Sequence, residues 1–208
     1  MRTNCLVFGF FFGTLVASGC CHVNRLAERT EPVRTFALTL GDDPATELHF
    51  TRGASSHTRM LIGPLARTHR SVLQYQDLLQ EMGGGRLRQH LHEQLSRVLT
   101  RQLGWQVGDE GGLLLVELEE LVFNAADPNS PVQVTWRLTT RLQDAADESL
   151  IWRDCEDFQQ DLGALSMAQL LGLGFEERER FVAELAKGLA EHLASKLAED
   201  GASVVGKP

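Results

Sequence analysis

Two adjacent cysteines near the amino terminus, Cys20 and Cys21, are the first residues that could do distinctive chemistry. Such thiols can form a disulfide, bind a metal or accept a lipid, and the preceding residues help to decide among these. That segment carries one positive charge at Arg2, an apolar run from Cys5 to Val16, and small residues at 17–19. This is the three-part layout of a secretory signal. The apolar run is shorter than the roughly 20 residues of a membrane-spanning helix, so a permanent span is disfavoured.

The sequence "ASGC", which ends at Cys20, resembles the lipobox of bacterial lipoproteins. In proteins with that motif, the cysteine thiol carries diacylglycerol through a thioether and the new amino terminus is acylated. The resemblance implies signal cleavage between Gly19 and Cys20, with Cys20 as the lipidated residue and palmitate-type chains as the anchor. Acyl chains contribute about 0.8 kcal/mol per buried methylene, so two or three of them would hold the protein on a bilayer. An ordinary cleaved secretory signal and a retained anchor are the alternatives.

Composition limits the remaining classes of function. Without residues 1–19, the 208-residue chain becomes 189 residues long, enough for a single domain with one substantial core. The removed segment contains Arg2 and no acidic residue, so the net charge of −8 becomes −9. Nucleic-acid binding needs a basic surface that displaces counterions from phosphates. We therefore expect no nucleic-acid partner.

Two cysteines, Cys21 and Cys155, remain once the signal is removed and Cys20 is lipidated. In an oxidising envelope compartment they could form a disulfide. Alternatively, Cys155 is a buried thiol and Cys21 is unpaired. Their spacing does not match a zinc site.

The other residues with catalytic side chains form no recognisable catalytic motif. His90 and His92 lie two positions apart, which on a helix separates their directions by about 200° and keeps them from sharing one metal ion. Carboxylates cluster at 117–120 and 154–157, where a charged outer face is commoner than an acid–base pair. The glycines at 83–85 lack the lysine of a phosphate loop and indicate a flexible joint. We expect no catalytic residue, no metal site and no cofactor beyond the lipid on Cys20.

A basic stripe on one predicted helix stands out in a chain that is otherwise acidic. Two interpretations remain open: a solvated polar face beside a leucine stripe, or a docking face for an acidic partner or a lipid headgroup. The residues of this basic stripe are Arg86, His90, Arg97 and Arg101.

Hydrophobic periodicity predicts the elements that position these residues. We expect a polar tether at 20–32, then strands at 33–40 and 59–65, with a turn-rich connection "GDDPATE" after the first. Segment 69–85 is ambiguous. Apolar residues at spacings of three and four over 87–103 predict an amphipathic helix that ends at Gly104.

Two strands at 112–124 and 131–144 follow this helix and alternate in polarity. Even-numbered residues take the core side of both strands, including Val122. Because directly opposed residues of an antiparallel pair share a face, Arg137 is expected opposite Glu117 or Glu119.

A third strand at 149–161 is expected to bulge or end around 154–157, where its alternation fails. A terminal helix has an apolar stripe over 181–197 and a terminating glycine at Gly201. These elements indicate an α+β fold, in which an antiparallel β-sheet carries two long amphipathic helices packed on one face. The expected domains are a lipoprotein signal peptide at 1–19, a lipidated tether at 20–32, a single α+β domain at 33–200 and a flexible tail at 201–208.

The order of parts over residues 20 to about 198 carries a further resemblance. A lipobox, the strands "RTFALTL" and "MLIGPL", an amphipathic helix, three strands and an alanine- and leucine-rich final helix together resemble the ABC-type transport auxiliary lipoproteins. Those proteins accompany mammalian-cell-entry-type lipid transporters of Gram-negative envelopes.

The resemblance implies a non-enzymatic accessory protein, anchored by Cys20 at the periplasmic face of the outer membrane, that helps to move or position phospholipid. Its implied partners are an envelope protein complex, with an ABC transporter and its substrate-binding subunits, and a homo-oligomer is compatible with it. The alternatives are an interaction or regulatory lipoprotein for an outer-membrane assembly or cell-wall machine, and an envelope hydrolase. An apolar groove between sheet and helix would favour lipid transport, whereas a full core with an exposed patch would favour the interaction protein.

Overall fold

Three long strands form the centre of the sheet in a computed structural model of the protein. The structure describes residues 22–29, 32–42, 44–50, 85–108, 111–127 and 129–202. The strands are β1 (Val23–Asn24), β2 (Thr35–Leu40), β3 (Ala45–Phe50), β4 (Gln106–Val107), β5 (Gly112–Ala125), β6 (Pro131–Asp144) and β7 (Leu150–Ser166). The helices are α1 (Gly85–Leu103), α2 (Met167–Gly172) and α3 (Phe175–Glu199), with a short 3-10 turn at Leu26–Glu28.

The sheet has the order β1-β7-β6-β5-β2-β4, and β3 also pairs with β5. The long strands β5, β6 and β7 form an antiparallel meander, and β1 adds to β7 in the same sense. In contrast, β2 and β3 pair in parallel with the two halves of β5, and β2 also pairs in parallel with β4. These parallel edges were not part of the sequence prediction.

Both long helices cover one face of this sheet, so the predicted α+β fold is confirmed. Their leucine stripes and the core-facing residues of the strands form a single hydrophobic core. All three tryptophans (Trp105, Trp136 and Trp152) are fully buried in it. The helices run in the same direction, since Arg86 pairs with Glu179 near their starts and the segments after them meet beyond their ends.

A β-bulge in β5 corrects the predicted register. The ladder shifts between Leu118 and Glu120, so Arg137 lies opposite Glu120, not opposite Glu117 or Glu119. The bulge has a physical reason, because the two consecutive glutamates at 119 and 120 both find partners on the polar face. Glu119 accepts a hydrogen bond from Thr139 at 2.8 Å, and Glu120 lies 2.7 Å from Arg137.

The bulge also reverses which residues of β5 face the core. After it, the odd-numbered Leu121 and Phe123 are fully buried in the core, and Val122 turns to the other face. The prediction that Val122 packs in the core is therefore wrong, because a single extra residue exchanges the two faces of a strand.

The third long strand neither bulges nor ends around 154–157, contrary to the sequence prediction. The pairing of β7 with β6 is continuous from Trp152 to Gln159. Asp154 and Glu156 face the helices from within this stretch, and both pair with Lys196 of α3. Alternation of polarity fails here because the core side of the strand contains an ion-pair cluster, which periodicity cannot distinguish from a break.

The ends of the domain extend further than predicted. Within the expected tether, Val23 and Asn24 form β1, and Leu26 is buried in the core at 9% exposure. Beyond α3, Gly201, which was predicted to terminate the helix, has a left-handed conformation (φ 97°), and Ala202 is buried, with its carbonyl oxygen 3.0 Å from Trp105 Nε1. Both segments are polar or short, so hydrophobic periodicity gives no signal for them.

Two further predictions fall on the segments before α1. The second half of "GDDPATE" belongs to β3, not to a connection. Gly85 begins α1, whereas the glycines at 83 and 84, the strand predicted at 59–65 and the ambiguous residues up to 84 lie outside the described residues.

The bulge predicts a difference between two leucines of β5. Leu121→Ala should lower the free energy of unfolding by about 2–5 kcal/mol, because it opens a cavity in a filled core. Leu115→Ala, on the partly exposed outer face before the bulge, should cost clearly less. Urea denaturation of both variants measures this difference. Equal losses, or the reverse order, would place Leu121 on the outer face and contradict the observed register.

Candidate functional site

The lipidation residue Cys20 and the cleavage position after Gly19 lie outside the described residues. The described part of the chain does include the neighbouring residue His22 and strand β1, which lie at the β7 edge of the sheet. No helix in the described ranges is long and apolar enough to cross a bilayer.

The basic stripe lies along the seam between α1 and α3. Arg86 pairs with Glu179 and lies over the ring of Phe175, 4.6 Å from its centre. His90 Nε2 lies 3.3 Å from Glu179 Oε2. Burial raises the pKa of Glu179, but its contacts with Arg86 and His90 outweigh this effect, so that the pKa is lowered. This half of the stripe therefore helps to hold the two helices together.

The other half of the stripe is more exposed. Arg101 approaches Glu191 of α3 at 4.0 Å and remains 68% exposed. Arg97 is exposed and donates to Gln94 on its own helix at 3.4 Å. The stripe thus combines interhelical pairs with solvated cations. Docking of a partner or headgroup on it remains a prediction.

The two histidines of α1 have different surroundings. His90 contacts Glu179, whereas His92 is exposed and lines a groove between α1 and β2. Their separation agrees with the argument from helical geometry. Within the described residues, no group of three His, Cys, Asp or Glu side chains could hold a metal ion.

The groove beside His92 has a volume of about 450 Å³. Leu38 and Leu40 of β2 supply apolar surface, and both also pack against the core. Arg88 lies on its polar side and donates to the carbonyl oxygen of Leu40 at 3.4 Å. Among the described residues, Thr39 and Gln89 also line the groove. The groove is open to solvent, so it would contact a ligand on one side only.

The carboxylates of β5 that suggested acid–base chemistry are engaged in cross-strand pairs. Arg141 lies 2.6 Å from Glu117, and Arg137 bridges Glu120 and Asp157. The hydrogen bond to Asp157 and the charges of both acids raise the pKa of Arg137. These carboxylates therefore neutralise the arginines of the outer face.

A second cluster, between β7 and α3, was missed by sequence reasoning. Lys196 pairs with Asp154 and lies 2.9 Å from Glu156, and His192 Nε2 lies 2.9 Å from Glu156 Oε1. The ring of Phe158 stacks on His192 at 4.0 Å. Residue spacing could have indicated this cluster. Positions 154 and 156 share one face of the strand, and positions 192 and 196 share one face of the helix. We refer to Asp154, Glu156, His192 and Lys196 as the edge cluster.

Opposing effects determine the ionisation of the edge cluster. Burial raises the pKa of Glu156, but contacts with His192 and Lys196 outweigh it and lower that pKa below its ordinary value. Burial likewise lowers the pKa of Lys196, and its contacts with Asp154 and Glu156 raise it overall. Both residues are therefore charged at neutral pH and contribute stability through their pairing.

Cys155, next to this cluster along β7, is disulfide-bonded. The alternative in which it is a buried free thiol is therefore wrong. Its sulfur lies 3.4 Å from the Thr139 hydroxyl, on the face of the sheet away from the helices. Its position also lines a surface depression together with Glu119 and Arg137.

Several solved structures resemble this chain at low sequence identity. No family model matches the chain, and no match was found among curated proteins. Among solved structures, a Xanthomonas campestris protein of the DUF330 family covers 81% of this chain and 90% of its own, at 9% identity and a TM-score of 0.39. A candidate lipoprotein of Caulobacter crescentus covers 55% of this chain and 86% of its own, at 20% identity and a TM-score of 0.30.

A third similar structure is the PelC dodecamer of Paraburkholderia phytofirmans. It covers 76% of this chain and 93% of its own, at 9% identity and a TM-score of 0.30. Likeness at these identities and TM-scores does not carry an argument about function, which therefore depends on this chain's own residues.

The edge cluster predicts a specific pH dependence. Because the pKa of Glu156 is lowered by folding, its contribution is present above its ordinary pKa and is lost as the pH falls through the lowered value. Glu156→Gln should lower the free energy of unfolding at pH 7 by about 1–3 kcal/mol. The difference from the unmodified protein should shrink as the pH falls below 4.5.

Asp157→Asn is the matched control, because Asp157 is 54% exposed on the opposite face. It should cost less than about 1 kcal/mol at pH 7. Urea denaturation at several pH values measures both variants. A loss for Glu156→Gln that stays constant from pH 7 to acid would contradict the assigned ionisation.

Proposed function

We propose that this chain is an envelope lipoprotein, anchored by acyl chains on Cys20 at the periplasmic face of the outer membrane. In this proposal it is a non-enzymatic accessory component of an ABC-type lipid transport system and helps to move or position phospholipid between membranes. Its partners are the transporter and its substrate-binding subunits.

The groove between β2 and α1 is the observation that carries this proposal. Leu38 and Leu40 offer an apolar surface against which part of an acyl chain could lie. On the helix side, the exposed His92 offers a hydrogen-bond donor suited to an anionic phosphate, and Arg88, which already donates to the carbonyl oxygen of Leu40, adds a positive charge beside it. An apolar surface beside donors matches the two ends of a phospholipid. The groove lies at the edge of the core, where a lipid could enter without unfolding the domain.

The described side chains also support a role in binding over one in catalysis. The carboxylates of β5 and β7 pair with arginine, lysine or histidine across neighbouring elements. Such pairing stabilises the fold and neutralises the charges that acid–base chemistry would use. We therefore keep a non-enzymatic role in the proposal.

An interaction or regulatory lipoprotein is the second candidate. The space between sheet and helices is filled by side chains that include three fully buried tryptophans, so a lipid would have to bind at the edge. Phe175 is 61% exposed at the start of α3, beside the cation Arg86. An exposed aromatic residue next to an arginine is typical of protein interfaces. This corner would be the docking surface in that case.

A charge placed at the groove tests lipid binding directly. His92→Glu should lower the transfer of fluorescent phosphatidylglycerol between vesicles at least several-fold, because the new carboxylate repels the phosphate. Gln102→Glu adds a carboxylate on the same helix outside the groove and should leave transfer unchanged. Equal transfer by both variants and the unmodified protein would contradict the groove as a lipid site.

Affinity purification from membranes separates the two candidate functions. Recovery of permease, ATPase or substrate-binding subunits with the full-length protein would support the transport role. If only cell-wall or outer-membrane assembly proteins are recovered, and Phe175→Ser abolishes their recovery, the interaction role is supported and the transport role is wrong.

A further inference from the structure

Two arginines face each other on the side of the sheet away from the helices. Arg141 of β6 and Arg153 of β7 are directly opposed in the antiparallel ladder. Both neighbours of Arg153 along its strand point to the helix side, where Trp152 is fully buried and Asp154 pairs with a lysine of α3. Because successive side chains of a strand alternate and opposed residues share a face, both arginines point to the other side. Their Cβ atoms are expected to lie about 4.5–5.5 Å apart.

Arg153 is not matched by a carboxylate, in contrast to the two arginines of β6. Arg137 bridges two carboxylates of the neighbouring strands, and Arg141 lies 2.6 Å from Glu117. Within the described part of the chain, the side chain of Arg153 has no hydrogen bond and no ion pair. On its other side the opposed residue of β1 is Val23, which offers no charge. Arg153 therefore has a second cation as its nearest charged cross-strand neighbour.

The unpaired donors of this pair are buried. The Nε atoms of Arg141 and Arg153 are both shielded from solvent and lack a hydrogen-bond partner among the described residues. A buried donor without a partner costs free energy, and like charges directly opposed in a sheet destabilise it further. Such donors are rare in folded proteins, and a bound water or ion is one arrangement that satisfies them. Between two positive charges, an anion would also offset the repulsion, which water cannot do.

We propose that Arg141 and Arg153 bind a phosphate group between them. Arginine presents its N–H donors in a planar fork that matches the oxygens of phosphate. Two such forks at opposed positions can donate to different oxygens of one phosphate, while Glu117 holds Arg141 from the side of β5. Two guanidinium charges and the carboxylate of Glu117 leave one positive charge in excess. A phosphodiester, with its single negative charge, would neutralise this excess.

Chemical protection tests the site in the unmodified protein. The full-length protein, in a non-ionic detergent without phosphate, is treated with phenylglyoxal, and the modification of each arginine is followed by mass spectrometry. Inorganic phosphate should slow the modification of Arg153 several-fold relative to sodium chloride of the same ionic strength. Arg180, which is exposed on α3, should react equally fast in both salts.

The same assay distinguishes two sources of the phosphate group. In a second arm, phosphatidylglycerol mixed into the micelles replaces inorganic phosphate. Protection of Arg153 by phosphatidylglycerol would support a lipid headgroup as the ligand, whereas protection by inorganic phosphate alone would support a soluble phosphate compound. Modification of Arg153 at the chloride rate in both arms would overturn the proposal.

The Arg153→Gln variant separates ligand binding from a structural role. It removes the like charge opposite Arg141 and breaks no pair within the described residues, so in chloride it should resist urea at least as well as the unmodified protein. In phosphate the unmodified protein should gain stability relative to chloride, because the ligand binds the folded state. Arg153→Gln should lose most of this gain.

Arg180→Gln is the matched control, because it removes the same charge from the exposed surface of α3. It should keep the full gain in phosphate, which includes the general stabilisation that this salt gives to folded proteins. If Arg153→Gln is destabilised equally in both salts, its role is structural and the proposal is wrong. Retention of the full phosphate gain by Arg153→Gln would contradict the site as well.

Discussion

The antiparallel pairing of β6 with β7 is the interaction on which the rest of the structure depends. It is continuous from Trp152 to Gln159, and it determines which side chains of β7 face the helices. Trp152 is fully buried, and its indole donates to Asp200 at 2.7 Å, just beyond α3. On the same face the edge cluster joins the strand to α3, and on the opposite face Cys155 forms its disulfide. The free side of β7 also provides the backbone groups that pair with β1.

Strong periodicity made the larger elements predictable from the sequence. The helix stripes from Leu87 to Leu103 and from Val182 to Leu197 indicated both long helices, and the alternation in β6 indicated its buried face. These signals arise because burial of apolar side chains dominates the folding of such elements. The α+β class followed from the same pattern.

Features determined by polar pairing could not be read in the same way. The β5 bulge depends on the partners that Glu119 and Glu120 find on the neighbouring strand, and the continuity of β7 depends on the pairing of Asp154 and Glu156 with Lys196 of α3. β1 forms mainly through backbone hydrogen bonds, so its polar sequence indicated a tether. β2 and β3 each pair in parallel with β5. This pairing depends on how the chain connects the strands, which local sequence patterns do not show. The basic stripe lies on α1, but its partner Glu179 comes from an element distant in sequence, and docking on the stripe stays a prediction.

The proposed role and the architecture are connected through the position of the anchor. β1 begins at the β7 edge, three positions after Cys20 in the sequence, while the groove at Leu38 and Leu40 lies near the other side of the sheet, beside β2. An anchor at one edge would orient the sheet relative to the membrane and leave the groove side available to lipid or to a partner. The acidic net charge offers no general attraction to anionic lipid. Covalent attachment would therefore supply the membrane affinity.

The most direct test of the account is the intact mass of the amino terminus of the protein extracted from membranes, beside a Cys20→Ala control. The account predicts a chain that begins at Cys20 and carries a diacylglyceryl group and an amide-linked acyl chain, with the Cys20→Ala variant unmodified. A soluble chain with a free amino terminus, or one that retains residues 1–19, would contradict the central claim that this is a lipid-anchored envelope protein.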